Sequence, residues 1–133
     1  MRTKEIRKWI DEGGSLPQDL TQEEKDHLTK LGWSVKRQWY DSGEKWYEER
    51  CLHGKPHGKQ EAWHANGQKA HERHCLHGKT HGKAEGWCDN GQKRYERHFL
   101  HGILHGVFKE WNRYGNLLTE EEYFYGNKIK ETS

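Results

Sequence analysis

The chain has little from which to build a conventional core. Only 30% of its 133 residues are hydrophobic, while 33% are charged. Composition of this kind, taken alone, points to disorder. Seven Trp, six Tyr and a strict internal repeat point instead to a thin, elongated fold whose units contact only their neighbours. Cysteine is scarce: Cys51, Cys75 and Cys88 are an odd number with no Cys-x-x-Cys spacing, a poor framework for disulfides or zinc. A reducing, intracellular setting fits that usage. No apolar run approaches the roughly 18 residues of a spanning helix. No signal peptide is recognisable either, so the expectation is an intracellular, cytoplasmic protein of one domain. A dominant charge sign is also missing. Formal charge is +2 with both signs interspersed, which gives no push toward nucleic acid. The eleven His would add positive charge below about pH 6.5, and they read as a solvated polar face.

What the chain does have is one phrase repeated at fixed length. Trp39, Trp63, Trp87 and Trp111 are each 24 residues apart. Gly43, Gly67, Gly91 and Gly115 keep the same spacing, as do Gly54, Gly78, Gly102 and Gly126. His53, His77 and His101 form one column, and His57, His81 and His105 another. Four units therefore run from about Gln38 to Lys130. Cys51 and Cys75 share a column with Phe99 and Tyr123, which marks a packing position and not a ligand position.

Residues 1–35 lie outside the repeat. Ile6, Trp9 and Ile10 have helical spacing that Gly13-Gly14 stops, and Ser15-Leu16-Pro17 reads as a linker. Thr21-Gln22-Glu23-Glu24 matches a capping box, opening a second short helix to about Leu31 with Gly32 as its stop. Leu20, Leu28 and Leu31 give it one apolar side. The segment reads as a helical cap on an open array, covering Trp39 and Trp46. A partner-binding helical pair is the other reading.

The repeat itself reads as strands, in a domain spanning residues 36–133. Asn66-Gly67 and Asn90-Gly91 between alternating runs are strong hairpin signals, and Asp41-Ser42-Gly43 and Tyr114-Gly115 do the same in the outer units. In the third unit the strands are expected near Lys83–Cys88 and Lys93–Leu100. Alternation puts Tyr95, Arg97 and Phe99 on one face, with Arg94, Glu96 and His98 on the other. A three-residue loop ending on Gly would place Trp87 with Tyr95 and Phe99, and Trp63 with His71 and Cys75. The expectation is one aromatic stripe with a charged face behind it.

Tyr95-Glu-Arg-His-Phe99-Leu-His-Gly102-Ile-Leu-His105-Gly106 resembles the MORN repeat: a Tyr, an aromatic four residues on, then Gly-x-x-x-Gly. The resemblance covers about residues 38–130. Glu49, Arg73, Arg97 and Glu121 stand where the family commonly has the Gly of Tyr-x-Gly. The shared Asn-Gly-Gln-Lys is similar to the variant class found in bacterial proteins, some labelled antitoxins, and in large DNA viruses. The resemblance implies stacked hairpins in an elongated single-layer antiparallel sheet, so the fold class expected is mainly β with a short N-terminal helical cap.

Chemistry is harder to find. Equivalent His of successive units should stand about 9–10 Å apart, too far for one metal to join two loops. Glu120-Glu121-Glu122 alternate between faces and need not converge. No nucleophile–base pairing and no phosphate loop before a helix can be argued, so no catalytic residue, cofactor or metal is assigned. The chain reads as a non-enzymatic scaffold for protein–protein interaction. Trp63, Trp87, Tyr95, Phe99 and Trp111 form the expected binding stripe, with Arg73 and Arg97 as polar contacts. The alternatives are an antitoxin- or immunity-like inhibitor using that surface, and a peripheral adaptor on acidic phospholipids. Self-association through the edges Trp33–Tyr40 and Glu120–Lys130 is a further expectation.

Overall fold

The computed structural model describes residues 20–132. The first expected helix, around Ile6, Trp9 and Ile10, and the Ser15-Leu16-Pro17 linker lie outside these residues. The second is present as α1, Gln22–Lys30. Thr21 Oγ1 accepts the Glu24 N–H at 3.1 Å, and the Glu24 carboxylate accepts the Thr21 N–H at 3.1 Å. This reciprocal cap satisfies amides that the helix itself cannot. Gly32 ends the helix at φ +94°, a conformation that side chains other than hydrogen disfavour.

Ten antiparallel strands follow in one open sheet. They are β1 (Trp33–Trp39), β2 (Lys45–Leu52), β3 (Lys55–Trp63), β4 (Lys69–Leu76), β5 (Lys79–Trp87), β6 (Lys93–Leu100), β7 (Ile103–Leu104), β8 (Gly106–Trp111), β9 (Leu117–Phe124) and β10 (Asn127–Thr132). Each hairpin neighbours the next in sequence order, and β7 and β8 both pair with β6. β1 begins at Trp33, so a boundary between residues 35 and 36 falls inside a strand. The first strand of the third unit is longer than expected, because pairing begins at Lys79, directly after the His-Gly turn.

Two turn types alternate along the chain. The Trp side of each unit closes with a three-residue loop. In the second unit, His64 N–H donates to Gln68 O at 2.8 Å and Gly67 N–H to His64 O at 2.9 Å, with Gly67 at φ +87°. This is the loop anticipated from Asn66-Gly67. The other side closes with a two-residue His-Gly turn in which both residues have positive φ: His53 at 51° and Gly54 at 79°, with His77, His101 and Tyr125 alike. Two positive φ values in succession define the turn whose twist matches antiparallel strands, and His is among the few side chains that tolerate the left-handed region. The first His column is therefore part of the turn, where Tyr125 takes the same conformation in the fourth unit.

The second His column ties units together. Nδ1 of His57, His81 and His105 accepts the backbone N–H of His77, His101 and Tyr125 at 3.0, 3.2 and 3.1 Å. The opposite edge has its own ladder. Tyr40 Oη donates to Trp63 O at 2.7 Å, His64 Nε2 to Trp87 O at 2.8 Å, and the Asn66 and Asn90 amides to Asp89 O and Arg113 O.

One feature changes the assignment of faces. Trp63 pairs with Lys69, but its neighbour Ala62 pairs with His71, so Ala70 is an extra residue on β4. Arg94 is extra in the third hairpin, Trp46 in the first and Leu118 in the last. A bulge shifts the alternation of everything beyond it. The three-residue loop is as expected, yet Trp63 and Trp87 do not share a face with His71, Tyr95 and Phe99. They share it with Lys69, Glu72, Lys93 and Glu96.

Apolar packing is concentrated at the N-terminal end. Leu28 and Trp33 are buried, with Leu20, Leu31, Val35 and Leu52 against them. The helix covers Trp33 and leaves Trp39 and Trp46 at 55% and 46% exposure, contrary to expectation. At 9 residues it is too short to reach past the first strand. Among the described residues, no helix is long and apolar enough to cross a membrane.

Gly32 also joins cap to array, since its carbonyl accepts the His53 N–H at 2.8 Å. A Cβ on Gly32 would collide with the His53 ring, whereas one on Gly43, also at φ +94°, would meet open space. Chemical denaturation of Gly32→Ala should show a loss of about 1–2 kcal/mol from backbone strain plus that collision, and Gly43→Ala a smaller one. Equal losses would mean that His53 simply steps aside.

Candidate functional site

The two faces of the sheet have different chemistry. On one, Glu48, Glu61, Glu72, Glu85 and Glu96 stand opposite one another in a row across β2 to β6. Like charges directly opposite are destabilising. Lysines compensate them. Lys69 Nζ lies 2.9 Å from both Glu61 and Glu72, and Lys93 Nζ lies 2.5 Å from Glu85 and 3.0 Å from Glu96. Lys59 and Lys83 approach the same two pairs from the far side at 3.4–3.7 Å. Lys45, Arg37 and Arg50 surround Glu48. The Trp column borders this network: Lys45 Nζ is 5.2 Å from the Trp63 ring centre and Lys93 Nζ 5.9 Å from that of Trp111. Such contacts favour the cation.

Titration follows from this arrangement. Burial alone would raise the Glu96 carboxyl, but the hydrogen bond and charge of Lys93, with His98 and Lys83, outweigh it and hold it at about 2. Burial likewise opposes, while Lys45, Arg50 and Arg37 lower the carboxyl of Glu48, and Lys69 and Lys59 that of Glu72. From Glu48 to Glu96 each glutamate of this row has a cation within 4 Å, so this part of the face presents little unbalanced charge to a ligand.

The other face carries three rows across the strands. Tyr47, Ala62, His71, Gly86 and Tyr95 pair in succession, alternating large and small. The Tyr95 ring lies over Gly86, where a Cβ would collide with it. Beside them run Glu49, Gln60, Arg73, Ala84 and Arg97. Cys51, Cys75 and Phe99 fill the third row, with Gly58 paired to Cys75 and Gly82 to Phe99. The Arg97 guanidinium stacks 4.5 Å from the Tyr95 ring centre and 5.1 Å from that of Phe108. Burial pushes both the Cys51 and Cys75 thiols up, Glu49 adding to the effect at Cys51 and Arg73 opposing it at Cys75. Both are packing groups, because a thiol so held is a weak nucleophile.

Three hollows open in line along this face. One of about 300 Å³ lies between Trp46, Tyr47 and His71 over Ala62. The next, about 210 Å³, has Arg73, Ala84, Tyr95, Arg97 and Phe99 around it. The last, about 740 Å³, begins at Tyr95, Arg97 and Leu118 and extends to the hairpin ends near Trp87 and Trp111. Neighbouring hollows share His71 and Arg73, then Tyr95 and Arg97, so they form one partitioned groove.

Of the seven residues expected in the binding stripe, Tyr95, Phe99, Arg73 and Arg97 come together here. Trp63, Trp87 and Trp111 belong by register to the charged face, although Trp87 and Trp111 touch the rim of the largest hollow. Tyr47, Trp46 and Phe108 were not anticipated. The signal for the bulge is present in the sequence: Lys45/Glu48, Lys69/Glu72 and Lys93/Glu96 are three apart, which an unbulged strand would point to opposite faces. In the turns, His rings meet in pairs with centres 4.8 Å apart, His57 with His77 and His81 with His101, and the Nδ1 of one member is occupied as an acceptor. Among the described residues no three metal-binding side chains converge. Compared with known protein families and with curated protein sequences, the chain matches neither a family model nor an individual protein.

Partial burial, then the Arg73 and His64 charges, push His71 below its ordinary value of 6.5. Its contribution to stability is lost as pH falls below 6.5, while that of Glu96 is complete above 4.5 and lost toward 2. Thermal melts should show a shallow fall in Tm below the first value and a steeper one below the second. Glu96→Gln should flatten the steep limb while lowering Tm at neutral pH; an unchanged limb would remove the network from the explanation. Gly86→Ala should cost about 1–3 kcal/mol in denaturant melts, because the Tyr95 ring must move off its neighbour.

Proposed function

We propose that the chain is a non-catalytic, MORN-type repeat scaffold that binds a protein partner, inside the cell, through the grooved face of its sheet. The observation that supports this is where the four copies of the repeat differ. On the charged face the Trp column and the column of Glu48, Glu72, Glu96 and Glu120 are invariant, whereas Lys45, Lys69 and Lys93 give way to Leu117, and Glu61 and Glu85 share a column with Arg37 and Lys109. On the grooved face the columns read Tyr47, His71, Tyr95, Thr119; then Glu49, Arg73, Arg97, Glu121; then Cys51, Cys75, Phe99, Tyr123. They carry aromatic and Arg side chains, the residue types that dominate interfaces, on a face that no other described element covers.

A pull-down with Tyr95→Ala and Phe99→Ala against Trp63→Ala tests the reading, each variant first matched to the wild type by circular dichroism. The two grooved-face variants should lose a specific partner that Trp63→Ala retains. Retention by all three would leave the groove a structural feature only. Salt-sensitive co-sedimentation with anionic vesicles, lost in the same two variants, would favour the phospholipid adaptor instead.

A further inference from the structure

The middle of the groove has its own chemistry. Arg73 and Arg97 both stand directly opposite Ala84, one on β4 and one on β6, so a small side chain separates two long cationic ones. Their backbones are about 9–10 Å apart, within converging reach of two guanidinium groups. Arg73 is exposed and its Nη1 donates to Thr80 Oγ1 at 3.2 Å, with no carboxylate paired to it among the described residues. Arg97 reaches Glu110 only at 3.7 Å, and its Nε is buried without an acceptor. Each guanidinium carries five donors, so donors here exceed acceptors. On the charged face the reverse holds, since each lysine of the network is committed to a glutamate.

Resting on the scaffold reading above, we infer that the groove takes an extended acidic segment of the partner protein, with one carboxylate held between Arg73 and Arg97. A carboxylate matches the planar fork of Arg with two parallel hydrogen bonds. The column order restricts the ligand further. Glu49 and Glu121 flank the two arginines, and Glu110 lies beside Arg97. A flat anionic surface laid along the groove would meet these acids, whereas one acidic side chain entering the middle hollow would not. Hollows recur every two strands, about 9–10 Å. A polyproline II segment advances about 3.1 Å per residue with three residues per turn, so every third side chain faces the sheet and reaches the next hollow. The matching segment has an acidic residue with apolar residues three positions to either side, which meet Trp46 and Tyr47 at one end and Tyr95 and Leu118 at the other.

Fluorescence anisotropy with the full chain tests this. The probes are labelled Leu-Pro-Pro-Glu-Pro-Pro-Leu and the same peptide with Gln or Lys replacing Glu. The Glu peptide should bind about tenfold tighter than the Gln peptide and tighter still than the Lys peptide. Arg73→Gln and Arg97→Gln should each shrink that preference, Arg73→Lys should retain part of it, and Arg73→Glu should favour the Lys peptide. Arg73 is exposed, so its variants decide the matter even where the stacked Arg97 tolerates no change. Equal binding of the three peptides, no binding of any, or a Glu preference that survives Arg73→Gln overturns the inference. So does arginine-dependent binding to phosphatidylserine vesicles without binding of the Glu peptide. If the peptides fail while Tyr95→Ala and Phe99→Ala still abolish a partner, the acidic segment is wrong and the scaffold stands.

Discussion

Across five neighbouring strands, Glu48, Glu61, Glu72, Glu85 and Glu96 stand side by side, and a sheet holds such a row only if cations reach it from both flanks. In the second and third hairpins the near flank is Lys69 or Lys93, three residues before the glutamate that it joins. A regular strand would turn that lysine away. The bulge at Ala70 or Arg94 turns it back, and by the same shift takes the Trp column with it. One extra residue per hairpin thus decides which side chains lie on which face. The outcome is one face whose glutamate row is matched by cations and a second face whose aromatic, Arg and Glu side chains line a partitioned groove.

Stability in this molecule comes from periodic polar contacts more than from a core. The buried apolar residues among those described are Leu28, Trp33, Cys51, Ala62, Cys75 and Ala84, and only the first two form a cluster with partly buried neighbours. What joins unit to unit is hydrogen bonding at both rows of turns. On the His-Gly side, an imidazole Nδ1 accepts from each left-handed residue of the next unit. At the start of the array the Gly32 carbonyl takes that role toward His53, so the helix C-terminus substitutes for a preceding unit. Each left-handed turn leaves an N–H in need of an acceptor, and the ladder supplies it.

The readable parts of the sequence were those governed by local rules. The 24-residue period, the Asn-Gly loops, the Thr21–Glu24 capping box and the Gly32 stop all follow from turn and helix chemistry within a few residues. Tyr95, Arg97 and Phe99 keep their shared face because their pairing with β5 runs without a register shift. The Trp residues were misplaced because a bulge is set by a pairing between strands, and turn chemistry alone does not reveal it. Of the cap, α1 ends after 9 residues, over Trp33, and does not itself reach Trp39 and Trp46. The positive φ of one His column and the backbone contacts of the other account for the His-rich turns.

Dividing labour between two faces has a consequence for how such a sheet acquires specificity. If stacking depended on the grooved face, replacing Tyr with His or Glu with Arg between units would cost stability in each case. The charged face and the turn ladders carry the stacking, so these columns can change at little cost beyond the local contact. A sheet with identical grooved columns would offer the same hollow repeatedly and bind repetitive ligands in any register. Here the order Glu49, Arg73, Arg97, Glu121 makes the middle unlike the ends. A segment shifted by one unit would set its acid against Glu49 or Glu121, and that repulsion fixes the register as firmly as the attraction at the centre.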